Sequence, residues 1–276
     1  MTLFQSLLLG LVQGLTEFLP VSSTAHLILV PWLFGWDTDP DFAATRFAFD
    51  ILIQWGTLAA VIVYFWKDLL AIARAVITGL IRRQPFETAE ARLGWLIVVA
   101  TIPAALIGVL FKDFFEGLHH EPAIVAAILL GAAVLIFGSE RLGKRTRNIE
   151  SLTWLDALIV GSTQALALLP GVSRSAATIC GGLVRDLERP AAARFSFLMS
   201  IPAMLGAGVL ALTDLFDQPN FTSYLPPLAV GTVVAAIVGF FSIHWLLGFL
   251  SKRPMHIFGW YRVVVGAFCL MLAFVR

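Results

Sequence analysis

Residues 16–26 of this chain read TEFLPVSSTAH, a polar run with Pro20 at its centre, inside the otherwise apolar stretch 3–32. A second break, LPGVSRSAAT at 169–178, interrupts the apolar stretch 152–183. Backbone that leaves the helix at membrane depth is tolerated only when it is buried in protein or lines a cavity. Each stretch is also too short for two full crossings of roughly 20 residues. We therefore predict two re-entrant helix–loop–helix hairpins, each entering and leaving the membrane on one side.

The composition is that of an integral membrane protein. Of the 276 residues, 59% are hydrophobic and 13% are charged, whereas soluble domains are roughly 45–50% apolar and about 25% charged. The formal net charge of +1 argues against a nucleic-acid partner. Apart from the two interrupted stretches, we predict an all-α fold with six membrane-spanning helices. These are the apolar segments 47–66, 93–111, 122–138, 191–213, 225–250 and 257–275.

The two halves of the chain resemble each other. The sequence VSSTA at 21–25 aligns with VSRSA at 172–176, and FDILIQWGTLAA at 49–60 aligns with FSFLMSIPAMLG at 195–206. Each half then contains one hairpin and three spanning helices. Because three crossings is an odd number, the halves have opposite orientations, which is an inverted-topology repeat within one integral membrane domain. The two repeats are predicted over residues 1–150 and 151–276.

The basic residues indicate the orientation of the chain. Inner loops of membrane proteins carry an excess of Lys and Arg. If the first hairpin opens to the outside, 14 of the 19 basic residues lie in inner loops: Lys67, Arg74, Arg82, Arg83, Arg92, Arg141, Lys144, Arg145, Arg147, Arg185, Arg189, Arg194, Lys252 and Arg253. Three lie in outer loops: Arg46, Lys112 and Arg276. Arg174 and Arg262 lie in or near the membrane. We therefore predict that both termini lie outside.

The first break carries candidate functional groups. Gln13 and Glu17 are four residues apart and share a helix face, and an ionisable group at membrane depth is a functional candidate by default. The alternative for Glu17 is a protonated structural residue bonded to backbone groups. Three successive hydroxyls exceed what one helix cap requires, and among them we expect Thr24 to be the cap. His26 falls in the first turn of the second helix, where a functional role is favoured over a core role. The hydroxyls are those of Ser22, Ser23 and Thr24.

The second break has the features of an anion site. Free backbone N–H groups and the positive end of the helix dipole favour an anion there, and the planar fork of Arg174 suits phosphate oxygens. The alternative is that Glu17 is the partner of Arg174 across the repeat interface, and both hold if Arg174 binds both. Gln54 and Ser200 occupy matching positions in the repeat and are expected at this interface. The residues placed at the helix start are Gly171, Ser173, Arg174, Ser175 and Thr178. A phosphate site embedded in an apolar protein suggests a lipid phosphate.

These stretches resemble a known family. QGLTEFLPVSSTAHLIL at 13–29 and LLPGVSRSAATI at 168–179 resemble the two signatures of the undecaprenyl-diphosphate phosphatases, the bacitracin-resistance proteins of bacterial inner membranes, and ARFSFLMSIPA at 193–203 resembles a third block. The resemblance runs along the whole chain. It implies hydrolysis of undecaprenyl diphosphate to the monophosphate carrier of cell-wall synthesis, a divalent cation, and an active site open to the periplasm. Two departures are Gln13, where many relatives have Glu, and Ala25, where Gly is usual.

The expected mechanism follows from these residues. We expect the diphosphate to lie on Arg174 and the N–H groups of residues 173–175, with Mg²⁺ or Ca²⁺ bridging Glu17 and substrate oxygens, because hard cations prefer oxygen ligands. Gln13 either ligates the cation through its carbonyl or orients Glu17. The phosphoryl group moves to Ser23, to His26 or directly to water. If Ser23 attacks, His26 is its base. The remaining expected substrate contacts are Ser22, Thr24, Gln54, Gly171, Ser173, Ser175 and Thr178.

Other partners and functions remain to be considered. Membrane lipids surround the chain, and the resemblance implies that bacitracin competes for the substrate. The oligomeric state is left open, with a homodimer as one option. A transporter or flippase of polyprenyl phosphate is the competing function, because inverted repeats with broken helices are a transporter architecture.

Overall fold

The structure is a computed structural model that describes residues 1–111, 114, 115, 118, 121–216 and 225–275. Over these ranges the chain is helical and has no β-strand, which confirms the predicted all-α class. Lys112 and Arg276, which were predicted in outer loops, lie outside the described residues. The twelve α-helices in the described ranges are α1 Leu3–Thr16, α2 Ser23–Phe34, α3 Pro40–Tyr64, α4 Trp66–Ile81, α5 Ala89–Leu110, α6 Pro122–Gly131, α7 Ala133–Leu142, α8 Trp154–Leu166, α9 Arg174–Val184, α10 Arg189–Phe216, α11 Leu225–Leu250 and α12 His256–Val275.

Five segments are long and apolar enough to cross a membrane, so the chain is a multi-pass membrane protein. They are Ala89–Leu110, Pro122–Leu142, Arg189–Val209, Leu225–Leu250 and His256–Val275. Each matches one of the predicted spans. The sixth predicted span, 47–66, corresponds to α3, whose apolar part Phe49–Tyr64 is shorter than the other five.

Both predicted breaks are confirmed as interruptions of helical structure. In the first, α1 ends at Thr16 and α2 begins at Ser23, with Ser22 as its N-cap at φ 75°. In the second, α8 ends at Leu166 and α9 begins at Arg174, with Ser173 as its N-cap at φ 73°. Such a φ is uncommon in residues other than glycine, and it occurs at the same place in both breaks.

The cap of α2 differs from the prediction. Thr24 was expected to cap this helix, but the cap is Ser22, whose hydroxyl accepts a hydrogen bond from the backbone N–H of Ala25 at 3.3 Å. Ser173 caps α9 in the same way, by accepting from Ala176 N–H at 3.2 Å. Thr24 lies inside the first turn, because the cap must stand before the first helical residue to reach the free N–H groups.

The helices that precede the two breaks begin alike, each with a capping box. A capping box joins Thr2 to Gln5 at the start of α1, and another joins Thr153 to Asp156 at the start of α8. Such boxes satisfy two free N–H groups at once. Asp156 additionally accepts a hydrogen bond from Arg147 at 2.7 Å. Hydrogen bonding to Asp156 raises the pKa of Arg147.

The loops predicted on the inner side lie together at one end of the molecule. Glu140, near the end of α7, accepts hydrogen bonds from Arg189 at 2.6 Å and from the backbone N–H of Met255 at 2.7 Å. Arg194 binds Asp68 at 2.6 Å. Ion pairs and hydrogen bonds therefore join the segments that carry the predicted inner basic residues.

Helix α4 was not anticipated, since its residues were assigned to an inner loop. It carries basic residues beside an exposed apolar surface, so its sequence is neither a span nor a polar loop. The exposed apolar residues are Trp66, Leu70, Ile77, Leu80 and Ile81. The helix packs against α5.

The first helix of each interrupted stretch packs closely against a membrane-spanning helix. Helix α1 packs against α11, and α8 packs against α5. A Cβ atom on Gly10 would lie 2.5 Å from the Gly231 carbonyl oxygen, and one on Gly161 would lie 2.3 Å from that of Ala100. Only glycine permits this close backbone approach of α1 to α11 and of α8 to α5.

Candidate active site

Glu17 lies where the two breaks meet. Its Oε1 accepts a hydrogen bond from Nη2 of Arg174, which also makes the two an ion pair. Its Oε2 accepts from Gln13 Nε2 at 3.0 Å and from the Ser23 hydroxyl at 2.6 Å. The expected sharing of one helix face by Gln13 and Glu17 is confirmed. Arg174 pairs with Glu17, which was the alternative to phosphate binding. Its guanidinium has further N–H groups, so this pairing is compatible with phosphate binding.

The Arg174 side chain is supported from the side of α10. Its Nη2 lies 3.1 Å from Sδ of Met204. The Thr178 hydroxyl donates to the Arg174 backbone carbonyl at 2.8 Å. It also lies 2.6 Å from the Ser196 hydroxyl. Thr178 is fully buried, so its contacts are with α9 and α10 and not with the surface. Its geometry is that of a support for the helix start.

A second contact joins the two breaks directly. The Ser175 hydroxyl donates to the backbone carbonyl of Leu19 at 3.0 Å and lies 3.0 Å from the Ser173 hydroxyl. Both serines are buried. The first turn of α9 is therefore bonded to the loop before α2 through Ser175 as well as through the Glu17–Arg174 pair.

His26 is held by groups other than Ser23. Its Nδ1 lies 2.7 Å from the Ser22 carbonyl oxygen, and its Nε2 lies 2.7 Å from the Tyr261 hydroxyl. The rings of His26 and Tyr261 are stacked, with centroids 5.7 Å apart and planes at 14°. Because a carbonyl only accepts, Nδ1 carries the proton in neutral His26, and Nε2 accepts from Tyr261. The Ser23 hydroxyl donates to Glu17 instead.

Four of the predicted residues are partly exposed and can meet a substrate: Glu17, Ser23, Thr24 and Arg174. The buried ones are Gln13, Ser22, His26, Gly171, Ser173, Ser175 and Thr178. Gln54 is exposed on α3, and its backbone carbonyl accepts from Thr57 at 3.0 Å. Ser200 is buried, with its hydroxyl donating to the Phe197 carbonyl at 2.8 Å.

Sequence reasoning did not single out several residues that support the site. The Thr57 hydroxyl, fully buried, accepts from Gln13 Nε2 at 3.4 Å. Tyr261 contacts His26, and Arg262 contacts the second break. Thr57 and Arg262 are polar residues in apolar segments, and that signal could have identified them. Met204 and Tyr261 carry no such signal.

Comparison with known proteins decides the family. A family model described as "Bacitracin resistance protein BacA" matches residues 6–268. The chain belongs to the BacA family. Similar curated proteins named undecaprenyl-diphosphatase include that of Chlorobaculum tepidum, 46% identical over 96% of this chain and 95% of the relative. The protein of Chlorobium phaeovibrioides is 44% identical over 99% of this chain and 97% of the relative. The protein of Myxococcus xanthus is 44% identical over 99% of this chain and 89% of the relative.

The oxygen donors of this BacA-family site limit what cation it fits. Among the described residues there is no cluster of three or more His, Cys, Asp or Glu side chains that could hold a metal. Oε1 of Gln13, beside Glu17, is buried without a hydrogen-bond partner. One carboxylate and one amide oxygen fit a hard cation that takes its other ligands from water and phosphate, as Mg²⁺ commonly does.

Proposed function

We propose that this chain hydrolyses undecaprenyl diphosphate to undecaprenyl phosphate and inorganic phosphate. This reaction recycles the lipid carrier of cell-wall synthesis and confers bacitracin resistance. The observation that carries the proposal is the meeting of Glu17, Ser23 and Arg174 at a partly exposed point of a membrane protein. The relatives named undecaprenyl-diphosphatase supply the substrate.

The diphosphate binds where two helices begin. Helices α2 and α9 both start at the site, and each N-terminus presents free N–H groups and a partial positive charge. Arg174 keeps N–H groups besides the one on Glu17, and these suit phosphate oxygens. Ser173 and Ser175 are buried. They stabilise the loop through the hydrogen bond of Ser175 to the Leu19 carbonyl and the contact between the two hydroxyls. Among the predicted substrate-binding residues at the two breaks, Thr24 and Arg174 are the partly exposed ones.

Ser23 is the best-supported nucleophile. Its oxygen attacks the terminal phosphorus, the bond from that phosphorus to the bridging oxygen breaks, and undecaprenyl phosphate leaves. The hydroxyl proton passes to Oε2 of Glu17, which already accepts it at 2.6 Å. Water then attacks the phosphoserine, inorganic phosphate leaves, and Ser23 regains a proton. Direct attack by a water bonded to Glu17 is the other route. Attack by His26 is less supported, because both its nitrogens are engaged.

A divalent cation, Mg²⁺ or Ca²⁺, belongs to this proposal. Glu17 and Gln13 would hold it, and the unpartnered Oε1 of Gln13 supports that role. When bound, it neutralises negative charge on the phosphoryl oxygens. Positioning and charge neutralisation supply most of the acceleration in phosphoryl transfer.

The proposed topology is an inverted repeat over 1–150 and 151–276, each half having one re-entrant hairpin. Three paired observations support it. These are the matching φ angles of Ser22 and Ser173, the two capping boxes, and the close glycine contacts of α1 and α8. With the basic loops inside, the site opens to the periplasmic face of the bacterial inner membrane.

We also propose that bacitracin competes for the substrate, and that a homodimer is compatible with this topology.

Phosphate release tests the function. Purified protein in detergent is given undecaprenyl diphosphate, with and without a chelator, and inorganic phosphate is measured. We expect release that the chelator suppresses and added Mg²⁺ or Ca²⁺ restores. Absence of release at every cation concentration, together with movement of polyprenyl phosphate across vesicles containing the protein, would establish the flippase instead. Release unaffected by chelator would remove the cation from the proposal.

A further inference from the structure

Arg262, on α12, is a fully buried cation among the described residues. It donates hydrogen bonds to the backbone carbonyls of Gly171, Val172 at 2.6 Å, and Ala132 at 3.4 Å. Its Nε is buried without a partner, and no carboxylate of the described residues forms a salt bridge with it. A buried charge without a counter-ion is costly, so the carbonyls it binds identify what it does.

Two of these carbonyls, those of Gly171 and Val172, belong to the second break. In a trans peptide the C=O and N–H groups point in opposite directions. Because the Val172 carbonyl is turned toward Arg262, the N–H of Ser173 points away from it. Gly171 is at φ 111°, where a Cβ would also lie 2.9 Å from the Leu129 nitrogen. Arg262 thus fixes the orientations of the peptide groups that precede Arg174. These groups lie next to Ser173, which takes an uncommon positive φ.

The neighbouring residue, Tyr261, holds the other break. Its hydroxyl donates to Nε2 of His26, whose Nδ1 faces the carbonyl of Ser22. The Ser22 carbonyl selects the Nδ1-protonated form of neutral His26, and the Tyr261 hydroxyl orients the ring by donating to Nε2. Ser22 is the cap at positive φ that directly precedes Ser23. Two adjacent residues of one helix therefore contact the two breaks separately.

We propose that Tyr261 and Arg262 are positioning residues that fix the two phosphate-binding breaks relative to each other. Arg262 sets the backbone before Arg174, and Tyr261 sets the backbone before Ser23 through His26. Neither acts on the substrate directly. The inference rests on the proposed phosphatase only for its kinetic consequence. Its geometric part is measured without substrate. A misplacement of about 1 Å at such a site costs on the order of 100-fold in rate.

Nitrogen NMR tests the Tyr261 contact. Histidine is labelled with ¹⁵N in detergent-solubilised protein, and the His26 signals are assigned among the five histidines by a His26→Gln variant. We expect wild-type His26 to show the Nδ1-protonated form with a hydrogen-bonded Nε2. Tyr261→Phe should move the Nε2 signal, because Nε2 loses its hydrogen bond, while Nδ1 stays protonated against the Ser22 carbonyl. The control is Tyr64→Phe, which removes a hydroxyl 3.3 Å from His244. Unchanged His26 signals in Tyr261→Phe would overturn the proposal.

Kinetics test the consequence. Arg262→Lys keeps the charge but loses the fork that spans neighbouring carbonyls, and Arg194→Lys, at the remote Asp68 pair, is the control. We expect Tyr261→Phe and Arg262→Lys to lower kcat by about 10- to 100-fold with little change in KM, while the control stays near wild type.

Full kcat in both variants of an active enzyme would refute positioning. Arg262→Lys that fails to fold leaves Tyr261→Phe to decide. An inactive wild-type protein would defeat the proposed function and leave the NMR result standing.

Discussion

Glu17 and Arg174 are 157 residues apart in the chain and form an ion pair through Oε1 and Nη2. The pair joins the loop before α2 to the loop before α9. Both side chains keep some exposure, 10% for Glu17 and 20% for Arg174. The pairing is therefore compatible with a ligand between the two breaks, and variants of each residue distinguish a catalytic pair from a structural one.

Glu17→Gln keeps the shape of the side chain and removes its charge. We expect phosphate release to fall by orders of magnitude, because the acceptor of the Ser23 proton and the carboxylate ligand are lost together. Added Mg²⁺ or Ca²⁺ should restore activity only in part. Glu90→Gln, at an exposed position on α5, is the matched control. Near-normal turnover with an unchanged cation requirement would contradict both roles of Glu17.

Arg174→Lys separates a phosphate clamp from a simple counter-charge. Lysine keeps the charge but cannot present two parallel N–H donors. Charge-assisted hydrogen bonds are worth roughly 1.5–3 kcal/mol each, so loss of one should lower kcat/KM by about 10- to 100-fold. The protein should still insert and fold. A well-expressed variant with full activity would favour a purely internal salt bridge to Glu17.

Ser23→Ala tests the nucleophile. The hydroxyl donates to Glu17 at 2.6 Å, and its removal should lower phosphate release by orders of magnitude while substrate still binds. Ser162→Ala removes an exposed hydroxyl that donates to its own helix and should be neutral. Trapping of a phosphorylated serine in wild-type protein would support the covalent route. Substantial activity in Ser23→Ala would shift the reaction to direct attack by water.

Gln13→Glu tests the amide beside Glu17. Gln13 now donates to Glu17 at 3.0 Å, and a second carboxylate there would repel the first unless a cation lies between them. We expect the variant to remain active and to need less Mg²⁺ or Ca²⁺ for half-maximal phosphate release. A dead enzyme at all cation concentrations would show that the donated hydrogen bond, and not a ligand oxygen, is what Gln13 contributes.

Thiol labelling tests the orientation. Cys180 and Cys269 are buried, so an introduced cysteine stands out against them. In intact cells, a cysteine at Asp39 should react with an impermeant reagent, and one at Lys144 should react only after lysis. Reversed labelling would place the site on the cytoplasmic face.

The sequence by itself determined the class of the protein and the position of its two breaks. Long apolar segments require a bilayer, and Pro20 and Pro170 with their following hydroxyls cannot continue a spanning helix. These are local properties of composition and spacing, so they are readable without coordinates. The same spacing placed Gln13 beside Glu17 and put Arg174 at a helix start.

Only the tertiary structure decided which groups meet. Ser23 binds Glu17 while His26 binds Tyr261, 235 residues away, and the cap of α2 is Ser22, which takes an uncommon positive φ. Arg262 was noted in the sequence only as a cation near the membrane, and its carbonyl partners lie about the second break. Partner choice across the chain depends on how α12 packs against the two breaks, which spacing within one helix does not encode.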